Sequence, residues 1–524
     1  MRALRRAGWA ACVVALAGCQ ELTATKALDV SFHPDTGVSA MPKELYDGEL
    51  KHVVMKVQAT SDAQALYTTR VVWTSTPDSV IRIDDGANCG LARETTPIPE
   101  VHACLYARAP GIANIKVRLE QPGLSAAETT FTVRVNQRWL DVAASTASTC
   151  AVNVKYRVFC WGAWELTGTG KPIDALVPRP LLNTIGLPFD RVFAGGTTAC
   201  ANVQDSSVSY CWGLNDYGIA GLGRSVAFAP VPTLPLNNSF TSVAPGYFFS
   251  CGITGGGSAS CWGLNGGFSM GHQPVESSES CRDSPTEQCV YSAGLEAAAR
   301  QVFAVSVASF HACAAGSTGV FCWGSNLEGQ IGNGLIGGSS PVAQVPGLVP
   351  VAGDTASVAV GGSHSCAAVG PRRADKATWC WGRNADGETG VAGCPVVTDL
   401  GCDAPLPRRL SRDFASIVAG YAHTCGLTAA GAAYCWGSNS YGQLGRGIAD
   451  SSNVTPAVVP LDSNRTFVKI ASGDTHVCGI TSRTGAMYCW GANLYGNLGD
   501  GTKVARSSAR RVSEPVTGFL TFTP

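Results

Sequence analysis

The cysteines of this 524-residue chain are spaced in a way that favours disulfide chemistry. Of the 22 Cys, 20 fall into ten local pairs, and the other two, Cys12 and Cys19, lie near the N-terminus. An even number of closely spaced partners is typical of disulfides in an exported chain. The ten pairs are Cys89–Cys104, Cys150–Cys160, Cys200–Cys211, Cys251–Cys261, Cys281–Cys289, Cys313–Cys322, Cys366–Cys380, Cys394–Cys402, Cys425–Cys435 and Cys478–Cys489.

Cysteine also serves as a metal ligand or as a small buried residue on a strand, and both alternatives compete with bridging. The chain has no CxxC clusters and no Cys/His sets at zinc spacing, which disfavours a metal. Cys281–Cys289 and Cys394–Cys402 lie in insertions that lengthen single repeats, so they share no packing role with the other pairs. Disulfides remain the favoured interpretation for all ten pairs.

The tripeptide Cys-Trp-Gly occurs seven times, at intervals of 50 to 61 residues, and contains the second cysteine of seven pairs. A fixed period of this length indicates stacked supersecondary units that bury their apolar faces on one another. Each period holds a Val/Ile/Ala run, a hairpin with a Gly-bearing turn and a further short apolar run, which predicts four antiparallel strands. Seven such units predict an all-β seven-bladed β-propeller over residues 138–524.

The sixth repeat shows the consensus most clearly, with Cys435–Gly437, then Asn439, then the Gly-Gln-Leu-Gly segment Gly442–Gly445. This pattern resembles the regulator of chromosome condensation repeat family, whose members form seven-bladed propellers. The first repeat departs from the pattern, because Trp164 stands where the others place Asn and no Gln-Leu-Gly follows Gly168. The departure bears on how the ring closes and not on the number of repeats.

The N-terminus has the features of a bacterial export signal. Arg2, Arg5 and Arg6 precede a short apolar stretch, and Leu16–Cys19 resembles a lipobox, in which the cysteine becomes the lipidated first residue of the mature chain. We therefore expect a lipoprotein signal peptide over residues 1–19, lipid attachment at Cys19 and an outer-membrane lipoprotein that is periplasmic or surface-exposed. The alternative is an ordinary cleaved signal peptide and a freely secreted protein.

Residues 28–136 contain no Cys-Trp-Gly and alternate apolar with polar side chains, as in Ile115 with Val117 and Val133 with Val135. Period-two alternation predicts half-buried strands, and about 100 residues of short strands suggest a β-sandwich. The segments at 71–75 and 109–115 resemble the bacterial immunoglobulin-like domain of the intimin/invasin kind. The alternative is an N-terminal extension of the repeat array.

The chain carries no net charge at pH 7 and only 15% charged residues, which disfavours a nucleic-acid partner. It contains no Gly-x-Ser-x-Gly elbow, no phosphate-binding Gly-Lys-Ser/Thr loop and no His-Glu-x-x-His helix. We therefore expect no catalytic residues, no metal and no cofactor.

Two recurring residue types have both a functional and a structural interpretation. The motif tryptophans suit sugar stacking, but their presence in every repeat favours packing between neighbouring blades; they are Trp161, Trp212, Trp262, Trp323, Trp381, Trp436 and Trp490. Four histidines stand two residues before a cysteine, and suit either a metal site near the axis or structural hydrogen bonds; they are His311, His364, His423 and His476. The first three repeats have Ser148, Thr198 and Phe249 at that position, so structural hydrogen bonding is favoured.

The loops after the Cys-Trp-Gly motifs are the candidate binding loops. Symmetry predicts that the residues six positions after the motif cysteine share one face of the ring; they are Leu166, Tyr217, Gly267, Glu328, Asp386, Tyr441 and Tyr495. Of these, Tyr217, Glu328, Asp386, Tyr441 and Tyr495 have side chains suited to binding, and tyrosine is favoured at interfaces. The alternative is a position that only tolerates turn residues. The insertions at 277–291 and 393–404 each carry a cysteine pair, and bridged loops are preorganised for recognition.

These features together predict an exported, lipid-anchored monomer that binds a protein or glycan ligand through its propeller and touches the membrane only through its lipid. One alternative is a polysaccharide lyase or hydrolase with an active site at the propeller mouth. Another is a purely structural surface protein. Convergent carboxylates, His or Arg at the mouth would favour the enzyme, whereas aromatic loops would favour binding.

Overall fold

The computed structural model describes most of the chain between residues 28 and 515, in segments. The described segments are 28–31, 44–59, 70–85, 100–120, 127–167, 173–181, 186–236, 239–266, 268–271, 279–282, 284–296, 301–345, 357–370, 376–392, 396–398, 401–450, 452–461 and 465–515. Cys19, Cys89 and Cys394 lie outside these segments, so the lipid site and two of the ten predicted bridges stay predictions. The chain divides into two units near residue 134, and the short segments 46–48 and 109–111 group with the second.

The first unit consists of two four-stranded antiparallel sheets. In spatial order, one contains Leu28–Ser31, Leu50–Ala59, Glu100–Ala107 and Ile81–Asp85, and the other contains Glu44–Tyr46, Ala127–Asn136, Gly111–Glu120 and Arg70–Thr76. Ala113, Ile115 and Val117 are fully buried, and exposed polar residues alternate with them. This alternation gives each strand one core face. The immunoglobulin-like assignment stays a prediction.

The described residues of the second unit form seven antiparallel sheets, one for each Cys-Trp-Gly repeat, which we number 1 to 7. Sheets 3 and 5 have a fifth strand from their insertions. The strands are Trp139–Ala144, Ser148–Asn153, Val158–Gly162 and Ala175–Pro180 in sheet 1; Phe189–Gly195, Thr198–Val203, Ser209–Leu214 and Phe228–Thr233 in sheet 2; Phe240–Pro245, Phe249–Thr254, Ala259–Leu264, Ser284–Glu296 and Glu279–Cys281 in sheet 3; Val302–Val307, His311–Gly316, Gly319–Ser325 and Ser339–Gln344 in sheet 4; Ser357–Val360, His364–Val369, Ala377–Arg383, Gly401–Arg409 and Val396–Thr398 in sheet 5; Ser416–Ala419, His423–Leu427, Ala433–Ser438 and Ser452–Val458 in sheet 6; and Phe467–Ser472, His476–Thr481, Met487–Gly491 and Arg506–Arg511 in sheet 7.

The helical content of the described segments is limited to short 3-10 turns, such as Trp164–Leu166 and Asp216–Gly218. No helix within these segments has the length and apolar character that a membrane span requires.

The second and third strands of every sheet form a hairpin that places the two repeat cysteines directly opposite each other. In the structure all seven of these pairs are bridged, with Cα atoms 4.0–4.1 Å apart. Facing residues on antiparallel strands lie close enough for such a bond. Each of these seven bridges therefore lies within one sheet.

Each sheet packs against the next, and sheet 7 packs against sheet 1. Because all strands of a sheet come from one repeat, the two ends of the array share no strand. The seam instead depends on side chains: the Thr149 hydroxyl lies 2.9 Å from Nε2 of His476 and donates to the carbonyl of Asn497 at 2.9 Å. Trp139, Trp161 and residues of sheet 7 belong to one apolar cluster. The first repeat, despite its irregular sequence, completes the contact.

The motif tryptophans connect neighbouring sheets. All seven are buried, and each donates its indole N–H to a backbone carbonyl in the loop of the preceding repeat, at 2.9–3.2 Å. The donor and acceptor pairs are Trp161 to Asn497, Trp212 to Leu166, Trp262 to Ile219, Trp323 to Ser269, Trp381 to Gln330, Trp436 to Glu388 and Trp490 to Gln443. The indole therefore fills the space between two sheets, and its N–H also provides a hydrogen bond to a buried carbonyl of the neighbouring repeat.

The remaining consensus residues shape the loop that supplies this carbonyl. Asn439 accepts a hydrogen bond from the backbone N–H of Leu444 at 2.9 Å and donates to the carbonyl of Ile448 at 3.0 Å. Gly437 has φ +99°, and a Cβ there would lie 2.7 Å from the carbonyl oxygen of Ala422. A Cβ on Gly445 would lie 2.8 Å from Nε1 of Trp490. Both positions therefore exclude larger residues.

The four repeat histidines are fully buried, and Nε2 of each lies 2.8–3.0 Å from a hydroxyl of the next sheet. The pairs are His311 with Ser365, His364 with Thr424, His423 with Ser472 and His476 with Thr149. Burial lowers the pKa of each imidazole, to about 3 for His311, His364 and His476 and about 4 for His423. The histidines are thus neutral hydrogen-bonding partners at neutral pH.

Replacing one motif tryptophan tests the contribution of the indole. Trp436→Phe removes the N–H that reaches Glu388, and we expect the free energy of unfolding to fall by about 1–3 kcal/mol. Trp164→Phe is the control, because Trp164 is only half-buried and lies outside the motif; it should cost less than about 1 kcal/mol. Denaturant unfolding followed by circular dichroism measures both variants. Equal losses of unfolding free energy in the two variants would show that the indole N–H of Trp436 does not stabilise the contact between sheets.

The buried histidines predict a loss of stability in mild acid. The unfolded chain binds protons at these four sites below about pH 6.5, whereas the folded chain does so only near pH 3–4. The free energy of unfolding should therefore fall as the pH drops from 6.5, by up to about 1.4 kcal/mol per histidine per pH unit.

The measurement is the unfolding midpoint at pH 7.5, 6.0 and 5.0 for the parent and for His364→Thr, which has the residue type of the second repeat. The variant should lose about a quarter of the histidine-dependent slope, whatever its stability at pH 7.5. Parallel pH profiles for parent and variant would show that His364 does not act in this way.

Candidate functional site

Two sets of loops meet at the same edge of the sheets, which we call the loop edge. One set joins the first and second strands, and the other follows the third strand, after Cys-Trp-Gly. Backbone hydrogen bonds hold the sets together, as from Ser438 N–H to the Ala422 carbonyl at 2.8 Å and from Leu264 N–H to the Phe248 carbonyl at 2.8 Å. The candidate loops after the motif therefore lie beside the loops nearest the axis.

The predicted loop residues differ in their surroundings. Tyr441 and Tyr495 are 47% and 46% exposed at the loop edge. Tyr217 is half-buried against neighbouring aromatic rings, whereas Leu166 at the equivalent position of repeat 1 is buried. Symmetry therefore sets the position of the loop but not the exposure of its side chain. Gly267 lies outside the described segments.

Glu328 and Asp386 lie in an ionic cluster around Arg383. The Arg383 guanidinium contacts Asp386 at 2.8 Å, buried Glu388 at 2.5 Å and Glu328 at 3.6 Å. Burial raises the pKa of Glu328 and of Glu388, and the charge of Arg383 opposes that rise. The cluster links repeats 4 and 5, so these two half-buried candidates have a structural role.

Four aromatic side chains form a continuous surface that we call the aromatic patch: Tyr217, Tyr247, Phe248 and Phe310. The ring of Phe248 is its centre, with ring centroids 5.5 Å from Tyr217, 6.0 Å from Tyr247 and 4.8 Å from Phe310, on which it stacks. Phe310 is 48% exposed. Aromatic surface of this kind is enriched at protein interfaces.

The insertion of sheet 3 supports the aromatic patch. Cys281 and Cys289 are bridged, and they form an apolar cluster with Leu264 and Tyr291 against which Tyr217 and Phe248 pack. The Tyr291 hydroxyl accepts a hydrogen bond from the backbone N–H of Arg282 at 2.5 Å. The bridged hairpin thus holds two members of the patch in place.

The loops between first and second strands surround a small cavity of about 80 Å³ that we call the axial mouth. It is lined by residues 144–146, 194–196, 245–247, 307–309, 360–362, 419–421 and 472–474, one segment from each sheet. The Tyr247 hydroxyl from sheet 3 donates to the Asp474 carboxylate of sheet 7 at 2.7 Å, and therefore crosses the mouth. Tyr421 from sheet 6 completes its aromatic lining.

The first strands of all seven sheets line a channel of about 300 Å³ behind the axial mouth. Its walls are apolar residues and serines, and Lys469 is the charged residue along it. Lys469 pairs with Asp141, and both line a second cavity of about 380 Å³ that also contacts Gln204 and Asp205. These last two residues follow the second strand of sheet 2, so this cavity lies at the edge opposite the loop edge.

Sequence reasoning identified the loops after the motif but missed the loops before the second strand, which form the axial mouth. The signal was present, because the residue two positions before each repeat histidine differs between repeats and always follows a glycine or alanine. These residues are Ser309, Gly362, Tyr421 and Asp474. What the sequence did not show is that Tyr247 and Asp474, 227 residues apart, touch each other.

Comparison with known families identifies repeats of one described type in this chain. A family model described as the regulator of chromosome condensation (RCC1) repeat matches residues 319–368 and 430–480. A second model with the same description matches residues 414–443 and 467–497.

Similar proteins include a secretion-regulating guanine nucleotide exchange factor of Bos taurus, 25% identical over 389 residues that cover 67% of this chain and 78% of that protein. The ultraviolet-B receptor UVR8 of Arabidopsis thaliana is 27% identical over 362 residues, covering 67% and 76%. These identities show that the sequences are similar, but they do not establish an activity for this chain.

Solved structures resemble the chain at the level of the fold. Prp20p of Saccharomyces cerevisiae aligns with a TM-score of 0.54 and 18% identity over 63% of this chain and 80% of that one. Human WBSCR16 aligns with a TM-score of 0.55 and 20% identity over 68% and 94%. The chain therefore contains regulator of chromosome condensation repeats, and these repeats form a β-propeller.

Proposed function

We propose that this protein is an exported, lipid-anchored binding protein whose propeller recognises a protein partner at the loop edge. The observation that carries the proposal is the aromatic patch beside the bridged insertion of sheet 3. An exposed aromatic surface on a covalently braced hairpin supplies contact area at a low entropy cost.

The axial mouth favours binding over catalysis. Among the described residues that line it, Asp474 is the one carboxylate, and none is a histidine, lysine or arginine. A lyase or hydrolase needs convergent acid and base groups, as in the paired carboxylates of most glycosidases. The four repeat histidines are buried between sheets and hydrogen-bonded there, so they do not supply such a group.

The similar proteins favour a protein as the ligand rather than a glycan. One is named a guanine nucleotide exchange factor, and the work on Prp20p describes binding to Gsp1p and histones. We do not extend exchange activity or chromatin binding to this chain. Its export signal, paired cysteines and zero net charge fit an extracytoplasmic partner better.

The proposed architecture follows the chain order. Cys19 holds the lipid in the bacterial outer membrane, an immunoglobulin-like sandwich follows, and the seven sheets are the blades of a seven-bladed propeller. The contacts between sheets 7 and 1 support a closed ring. We propose that the protein acts as a monomer, because one copy supplies a complete aromatic patch.

Lipid attachment is tested by metabolic labelling with a fatty acid in the bacterial host. The parent chain should incorporate the label and partition with membranes, and Cys19→Ser should abolish both. Cys12→Ser is the matched control, because Cys12 lies within the predicted signal and should leave labelling unchanged. Labelling of the Cys19→Ser chain would show that the lipobox assignment is wrong.

Partner recognition is tested by quantitative pull-down from bacterial envelope extract with residues 21–524 as bait. Phe310→Ala removes an exposed ring of the patch, and we expect capture of the specific partner to fall by about tenfold or more. Tyr441→Ala is the control: it is equally exposed at the same edge but lies outside the patch, and should change capture less than about twofold. Undiminished capture of the partner by Phe310→Ala would contradict the proposal. Turnover of glycans without a protein partner would favour the enzyme.

A further inference from the structure

Asp474 is a partly buried carboxylate whose charge is not balanced by the protein. It lines the axial mouth and accepts a hydrogen bond from the Tyr247 hydroxyl at 2.7 Å. Within the described segments, no lysine, arginine or histidine forms an ion pair with it. Burial raises the pKa of Asp474, and burial together with the Asp474 charge raises the pKa of Tyr247.

Three other carboxylates shielded from solvent in this unit pair with a cation. Glu388 pairs with Arg383 at 2.5 Å, Asp500 with Arg506 at 2.7 Å, and Asp141 with Lys469. A buried charge is costly unless it is paired, so proteins generally supply a counterion. Asp474 lies at an opening of the fold, where a ligand can provide the counterion.

The surroundings of Asp474 suit a cation. Tyr247 and Tyr421 line the same mouth, and the face of an aromatic ring attracts a cation electrostatically. Tyr421 is fixed in position because its backbone N–H donates to the Asp474 carbonyl at 3.0 Å and its ring packs against Gly362, where a Cβ would lie 2.9 Å from Cδ2. Its side chain is nevertheless 60% exposed, so an incoming group can reach the ring.

We propose that the axial mouth binds the ammonium group of a lysine side chain presented by the partner protein. The inference rests on the proposed function and places the charged anchor at the mouth, beside the apolar contacts of the aromatic patch. The ammonium group donates to the Asp474 carboxylate, and the alkyl chain packs against Tyr421. Among the described lining residues Asp474 is the one carboxylate, and one of its oxygens already accepts from Tyr247. The remaining acceptor suits the point charge of an ammonium group better than a planar guanidinium, whose donors match a free bidentate carboxylate.

The direct test uses n-butylammonium chloride as a mimic of the lysine side chain. Its binding to residues 21–524 is measured by ligand-observed NMR saturation transfer, with n-butanol and tetramethylammonium as comparison probes. We expect n-butylammonium to bind at least fivefold more tightly than either comparison probe. Equal binding of n-butanol, or tighter binding of tetramethylammonium, would overturn the lysine assignment.

Matched variants locate the site. Asp474→Asn retains an acceptor for the Tyr247 hydroxyl and should weaken n-butylammonium binding at least fivefold. Asp450→Asn removes a carboxylate at the same edge, in the loop after the third strand of sheet 6, that already pairs with Arg446 at 2.8 Å, and should leave binding unchanged. Tyr421→Leu provides a second variant at an exposed side chain and should weaken binding at least twofold. Undiminished binding to Asp474→Asn would overturn the inference.

The pull-down distinguishes this inference from the proposed function. If Asp474→Asn lowers partner capture as Phe310→Ala does, both stand. If capture depends on Phe310 but not on Asp474, the lysine inference fails and the proposed function remains. If capture depends on neither residue, the loop edge is not the binding surface and both fail.

Discussion

The indole N–H of each motif tryptophan crosses from one sheet to a loop carbonyl of the preceding repeat, and the arrangement of the sheets depends on that contact. The seven repeat disulfides do not provide it, because each of them joins two strands of the same sheet, as in sheet 6. The chain thus uses covalent bonds to stabilise each hairpin and noncovalent contacts to stack one hairpin on the next. Sheets 7 and 1 come from opposite ends of the repeat array and share no strand. Their contact therefore depends on side chains, and Thr149 and Trp161 both donate to the carbonyl of Asn497.

The loop that follows the Cys-Trp-Gly motif, which supplies this carbonyl, has two sides with different constraints. Its inner side supplies the carbonyl for the next tryptophan and is shaped by Asn439, Gln443 and Gly445, all of which have fixed partners. Its outer side carries Tyr441, whose ring is exposed although its backbone N–H bonds to the Gln443 side chain. The constraint on the inner side leaves the outer side chain open to change without loss of the packing between sheets. Binding residues can therefore vary between repeats on a constant framework.

Much of the propeller was predictable from the sequence because its signals are local and repeated. The hairpins, the facing cysteines and the buried tryptophans follow from period, turn glycines and spacing, and the seven motif pairs lie opposite each other as that spacing requires. Exposure was less predictable: Leu166 occupies the position of Tyr441 but is buried, because it packs in an apolar cluster with Trp212 of the next sheet.

Contacts across the axis were not predictable, because they depend on how far the array curves. Tyr247 and Asp474 meet because sheets 3 and 7 both border the axial mouth, although the two residues are 227 positions apart in the chain. The ion cluster around Arg383 likewise joins two repeats whose sequences show no pairing signal. Period and composition carry no information about such distances.

The repeats bury their histidines in one recurring arrangement. The carboxylate at the axial mouth does not follow that arrangement. Buried histidines become neutral and take a hydroxyl partner from the next sheet, so their burial requires no external charge. Asp474 lies two residues before such a histidine, at a position held by glycine, serine, threonine or tyrosine in the other repeats. The Tyr247 hydroxyl donates to it, but within the described segments no cation pairs with it. A symmetric scaffold gives rise to a specific site only where its repeats differ. The difference at Asp474 introduces an uncompensated charge at the centre of the surface that also carries the aromatic patch, so charge and apolar contact are available to the same ligand.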